Sequence, residues 1–527
     1  MKRKLFSVMV ACSAFALVNA QTTFYVSNSG SDSNNGSESA PFKTIGCAVT
    51  KVAENTPTII YLEKNATFDL SGATTTGYAY VDFGSNKNVE LSGENTTLLG
   101  WATPGNQQGQ STRILRGGSG TNLKVNGINF VNGRQIEYML GGAIFFAGEK
   151  LELEGCKFIN NEAGSAGAAI GSRGKQVIVN NCYFEGNYTI GGGAIGAVIM
   201  HCGPNVADVD KNYFLKVTNS TFYKNRMDAE NSRGVAIGLV DQSTGSSKNS
   251  TVGLLEVKNC TFLENTILNG GYEGVIDLTN AEVRESNIIN NTFYNNLGAI
   301  SIPTFIPDSR IAFINNVAYA DKTTILSGID AADREFLAYN NVLIGGERGV
   351  NEKMTEPSLN EEKAAYNNMV ETTTTYQLAN LGLATTFSND ATVPYLAITA
   401  SSPMINKGMN DSSDILGINV IPATDVCGTA INETKDIGAY EVPSPDNITN
   451  NAMNNTTYEL NYTADGIIVK NLSDKRLSLQ IVGIDGAQIY KANINGELTI
   501  NKNGLNKGIN VFILSDGTNI KAEKVLF

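Results

Sequence analysis

Two stretches of this 527-residue sequence, 200 to 213 and 226 to 251, collect most of the side chains that could do chemistry. They hold His201, Asp208, Asp210, Lys211, Arg226, Asp228, Glu230, Arg233 and Asp241. Carboxylates beside Arg or Lys are the groups that remove a carbon-bound proton from a uronate sugar: a bound cation neutralises the sugar carboxylate, and the basic side chain takes the C5 proton. On that reading Asp208 and Asp210, two apart and on one side of an extended strand, would hold Ca2+. Lys211 and Arg233 would be the catalytic pair. His201, Asp228 and Asp241 are the remaining candidates for ligand binding. The bland reading competes throughout, because charged side chains in loops are most often solvated surface. His201 precedes Cys202-Gly203-Pro204, but no second His/Cys pair completes a metal site, so it reads as a loop histidine. The remaining sequence shows no nucleophile–base arrangement, phosphate loop or dinucleotide fingerprint.

What must position these residues is a repeat. Eight anchors (Phe130, Phe158, Phe184, Phe222, Phe262, Phe293, Ala318 and Leu343) follow one another at 28, 26, 38, 40, 31, 25 and 25 residues, the period of a solenoid coil. Three residues before each stands Gly or Asn: Gly127, Gly155, Asn181, Asn219, Asn259, Asn290, Asn315 and Asn340. Apolar residues at −7 and −5 share one strand parity, and those at −2 and 0 share the other. A strand must therefore bend at −3, where Gly and Asn tolerate the left-handed conformation. Asn at +3 (Asn161, Asn187, Asn225, Asn265 and Asn296) is placed to stack from coil to coil and bond the next backbone. Small-residue runs such as Gly167-Ala168-Ala169-Ile170 open a third strand. The expected fold is all-β: a right-handed, three-sheet parallel β-helix. The two long intervals are insertions on neighbouring coils, and they carry the candidates above.

Composition narrows the partners. The formal charge is −12, of which a leader over residues 1–20 carries +3, leaving −15. Such a surface repels nucleic acid and anionic lipid. The leader has Lys2, Arg3 and Lys4, an apolar run to Val18 and Val18-Asn19-Ala20 before Gln21, which reads as a secretory signal peptide. No other apolar stretch is long enough for a transmembrane segment. The chain is therefore expected to be secreted or extracellular. Cys156, Cys182 and Cys260 all fall at −2 and should stack as small core groups instead of forming disulfides.

Phe-x-x-Asn, intact from Phe158/Asn161 to Phe293/Asn296, together with Gly-Gly-Ala-Ile at 141–144 and 192–195, resembles the repeat of polymorphic outer-membrane proteins, which are bacterial surface adhesins. Residues 24–45 resemble the opening of secreted pectin-lyase-like β-helix proteins. There Ile45, Ala48, Val49 and Val52 predict a short N-terminal capping helix, and Asp32, Asn34 and Asn35 read as turn chemistry. Residues 401–441, ending Asp436-Ile437-Gly438-Ala439-Tyr440-Glu441, are similar to the closing segment of choice-of-anchor proteins. Ala439 and Tyr440 are expected to seal the last coil. A linker over 442–455 then leads to 456–527, whose period-two alternation predicts a small C-terminal β-sandwich. Its end resembles the type IX secretion sorting domain, although Gly508-Ile509-Asn510 stands where that family has Gly-hydrophobic-Tyr. An ordinary Ig-like end domain is the alternative. These resemblances imply a surface-attached protein that binds a polysaccharide, a surface glycan or a protein without catalysis and is delivered by the type IX secretion machinery. The rivals are a calcium-dependent polysaccharide lyase and an inert structural spacer; the β-helix polygalacturonase set (an Asp pair, Gly-His-Gly and Arg-x-Lys) is absent.

Overall fold

The computed structural model describes residues 21–526 apart from 72–78, 101–112, 203–210, 241–251, 302–309, 320–325, 328–334, 346–362, 373–380, 443–457 and breaks of five residues or fewer. The chain divides into two compact units, Met1–Val442 and Pro443–Phe527.

In the first unit the alternation at −7, −5, −2 and 0 becomes a parallel β-helix. One coil runs through Lys150–Glu154, a bend, Lys157–Ile159, Glu162–Ala163 and Ile170–Ser172. Each segment pairs in parallel with its equivalents one coil before and after: Leu151 with Leu123 and Val177, Phe158 with Phe130 and Phe184. The first two segments belong to one large sheet, the last to a nine-stranded sheet. Between them lies a five-stranded sheet of two-residue strands, shorter than sequence alternation can reveal. One further coil follows the eight, since Met369–Thr372 pairs with Val342–Gly345.

The bend at −3 is left-handed in every copy, from Gly127 (φ 63°) and Gly155 (φ 62°) to Asn315 (φ 57°) and Asn340 (φ 53°). Inside, Phe130, Phe158, Phe184, Phe222, Phe262 and Phe293 stack with ring centroids 4.5 to 5.0 Å apart. Where the anchor shrinks to Ala318, Phe313 from the other leg approaches Phe293 at 6.3 Å. Deleting one such ring opens a cavity worth about 3–5 kcal/mol. The Asn ladder at +3 is closed: each Nδ2 donates to the next Oδ1, as in Asn187 to Asn225 at 2.9 Å, and to a main-chain carbonyl one coil back. Asn291, Asn316, Asn341 and Asn368 build a second ladder at −2, where Cys156, Cys182 and Cys260 sit in earlier coils. Those three thiols are buried and free.

The helix forms as Ile45–Lys51, capped by Thr44 and burying Ile45 and Ala48. Asp32 accepts from the main chain of Lys43 and Thr44 and from the Thr44 hydroxyl, which is the turn role. The closing segment departs from expectation. Residues 381–442 do not seal the last coil; they run back over the outer face of the large sheet. Leu416, Val420 and Ile421 cover Ile289, Ala312, Ile314 and Leu337. Leu381, Leu383, Leu396, Ile398, Met404 and Ile437 cover Leu263, Val317, Val342 and Ile344. Ala439 lies in mid-solenoid, its N–H donating to Thr292 Oγ1 at 3.1 Å, while Tyr440 stacks on Tyr395 at 4.8 Å. The physical reason is that the outward residues of these coils are themselves apolar and must be covered.

The second unit has a three-stranded and a four-stranded antiparallel sheet around Ile467, Val469, Leu479, Ile481, Phe512 and Leu514. The strands flanking Asp485-Gly486 pair as a hairpin, while the turn itself lies outside the described residues.

Candidate functional site

Both long connections, from Ile199–His201 to Phe214–Thr218 and from Ile237–Val240 to Val252–Lys258, join the nine-stranded sheet to the large one, whereas Arg226, Asp228 and Arg233 come before that corner, so the charged candidates are dispersed. His201 is not in a loop. It ends the strand Ile199–His201, shares parity with Ile199 and is fully buried between Ser172 and Leu239 of the neighbouring coils. Among the described residues neither ring nitrogen has a hydrogen-bond partner, and burial pushes its pKa down to about 3. The ring is neutral and cannot meet a ligand.

Lys211 stands at the turn into the large sheet, ion-paired with Glu285, which also holds Arg310 at 3.3 Å. Two cations on one carboxylate keep Glu285 ionised although burial alone would raise its pKa; the net direction is downward. Arg233 lies at the other end of the nine-stranded sheet's row, where its carbonyl accepts from Gly196 N at 2.9 Å. Lys211 comes after the nine-stranded sheet, where the chain enters Phe214–Thr218, and Arg233 before it, ahead of Ile237–Val240, so the two stand at different corners. Asp208, Asp210, Glu230 and Asp241 lie outside the described residues. Among the described residues no group of three His, Cys, Asp or Glu could hold a metal.

The structure does bring together Arg226 and Asp228, on the outer face of the five-stranded sheet. Arg134, Glu162, Tyr188, Arg226 and Thr266 follow one another there, one per coil. Arg134 Nε pairs with Glu162 at 3.2 Å. Tyr188 donates its hydroxyl to Asp228 at 2.6 Å, and the Arg226 guanidinium lies over its ring, 4.3 Å from the centroid. Burial first, then Asp228, raises the Tyr188 pKa to about 12, so the phenol stays protonated and donates. This is a rung-spaced set of fixed donors and acceptors around one aromatic ring. It can bind polar ligands. Sequence reading missed Arg134, Glu162 and Tyr188, although all stand at +4 from an anchor, the first outward position after the +3 turn.

No protein-family model matches the chain, and no curated protein matches it. Among solved structures it is similar to a rhamnogalacturonan lyase, at 13% identity and a TM-score of 0.40 over 66% of this chain and 87% of that one. It is also similar to pectate lyase Pel9A, at 16% identity and a TM-score of 0.33 over 80% and 98%. A third similar structure is XylC with xylose, at 10% identity and a TM-score of 0.34 over 80% and 98%. Identities this low say nothing about activity.

Proposed function

We propose that this protein is an exported, surface-displayed β-helix that binds glycan without transforming it. The observation that supports this most is the Tyr188–Arg226–Asp228 cluster, an aromatic ring flanked by polar groups already held in place, which suits recognition of a hydroxylated ligand. The lyase reading needs a free base beside a carboxylate-bound cation. Lys211 is instead paired with Glu285, and Arg233 stands at another corner. A glycan array probed with and without calcium tests the reading: binding should persist in chelator and weaken about tenfold in Arg226→Ala. Release of unsaturated uronate, followed by ultraviolet absorbance, would overturn it.

Delivery is assigned to the second unit as a type IX sorting domain. It has its own core, so the solenoid does not need it to fold. Deleting 456–527 should leave a folded β-helix in the periplasm. A truncated chain that still reaches the cell surface would make this unit a binding module instead.

A further inference from the structure

We propose that the N-terminal half of the large sheet's outer face, which no described residue of 381–442 covers, carries a cleft for a neutral, extended β-linked saccharide. The inference rests on the glycan reading above but places a ligand on a different sheet. Register sets the outward side chains in columns: Asn88, Asn122 and Lys150; Glu90, Lys124 and Glu152; and Tyr25, Tyr61, Ser92 and Asn126. The first two columns line a cavity of about 160 Å³, roomy enough for a sugar ring. Among the described residues nothing takes up the side-chain amides of Asn88 and Asn122, so both remain available as paired donor and acceptor.

Charge selects the ligand class. Lys124 pairs with Glu90 at 3.5 Å, and Lys150 pairs with Glu152. The four charges cancel locally, so a polyuronate finds each cation already answered by a carboxylate. Hydroxyl groups can bond both members of such pairs as well as the amides. In the third column Tyr25 and Tyr61 stack at 5.3 Å, and Tyr61 is 38% exposed. Its next neighbour, Ser92, is too small to cover a ring, which leaves one face for the C–H side of a pyranose. Two residues of strand, about 7 Å, separate Tyr61 from the Ile59 position beside Glu90. Coils repeat at about 4.8 Å, near the rise of one sugar in an extended β-linked chain. Equivalent side chains thus meet successive sugars.

Calorimetric titration of the full chain with cellohexaose, xylohexaose and hexagalacturonate, each at low and high salt, tests this. A neutral hexasaccharide should bind with little salt dependence. The Asn88→Ala/Asn122→Ala double variant and Tyr61→Ala, checked for folding by circular dichroism, should each weaken it about tenfold. Preference for hexagalacturonate would overturn the neutral assignment. Unchanged affinity in these variants, with loss in Arg226→Ala, would overturn the cleft and leave the glycan reading standing. No binding of any of the three overturns the cleft; a glycan array that is also blank takes the broader reading with it.

Discussion

The outer face of the large sheet has two halves with the same backbone and opposite chemistry. From Glu90 to Glu256 its middle column reads Glu90, Lys124, Glu152, Ile178, Lys216 and Glu256, laced by ion pairs such as Lys216 with Glu256 at 2.7 Å. From Asn287 onward the same column reads Asn287, Ala312 and Leu337, beside Ile289 and Ile314, and the segment 381–442 lies over it. Inward residues change only within a buried set, Phe giving way to Ala318 and Leu343 at the anchor and Cys to Asn at −2. Outward residues are free to vary, and what covers each half follows from them. Among the described residues the first-half column is left to solvent, while the second is covered by protein, which also reaches the sheet's other leg at Thr221 and Tyr223.

Putting a charge into the covered half is the most damaging way to break this contrast. Leu337 is 3% exposed beneath Leu416, Val420 and Ile421. In Leu337→Lys the ammonium is either buried unpaired, at about 3 kcal/mol or more, or lifts the covering segment off. Denaturant midpoints and limited proteolysis should show lower stability and new cleavage within 409–421. An unaltered midpoint and digest would mean that the covering contact contributes nothing.

This covering segment also marks what the sequence could not disclose. The period-two and coil-length patterns carry the anchors, the left-handed Asn positions and the capping helix, because each recurs or sits at a fixed spacing. Leu381, Leu396, Met404 and Val420 recur at no spacing; they answer a surface built by other residues. Their partners did leave a trace, in the outward positions that turn apolar at Ile289. His201 was misplaced for a related reason: its loop-like neighbours Cys202-Gly203-Pro204 drew attention from its parity with Ile199. The catalytic set dissolved because coil intervals locate the long segments along the chain without saying which of their residues belong to strands: Arg226 is in the five-stranded sheet, and Arg233 precedes Ile237–Val240.

A smaller effect is expected from pH, and it acts on the covering segment alone. Lys435, fully buried, pairs with Glu441 at 3.0 Å. Asp436 N donates to Glu441, while Asp425 accepts from Cys427, Thr429 and Glu441 main chain. Burial raises Asp425 and Asp436, lowers Lys435, and lifts Glu441 to about 7. The ion pair opposes the last shift, but desolvation outweighs it. Unfolded Glu441 ionises near its ordinary value of about 4.3, so between there and pH 7 only the unfolded chain has lost this proton. Stability should therefore be greater near pH 5 and fall, on the order of 2 kcal/mol, by pH 8. Hydrogen exchange over 425–442 at the two pH values reads the difference, and Glu441→Gln should flatten it. Equal protection at both would show that Glu441 is ionised throughout.

The smallest effect belongs to the uncovered half, where the reciprocal change puts an apolar residue among charges. Lys124 keeps 45% of its side chain exposed and meets Glu90 at 3.5 Å. Glu90 has a second partner in Asn126 Nδ2 at 2.6 Å, so losing the lysine does not strand the carboxylate. An exposed pair of this kind contributes about 0–1 kcal/mol, and the leucine that replaces it suits a strand at least as well as lysine does. Lys124→Leu should thus move the denaturant midpoint by no more than about 0.5 kcal/mol in free energy. A loss as large as that of Leu337→Lys would show that the charge ladder holds the coils together, and the two halves would differ in composition but not in role.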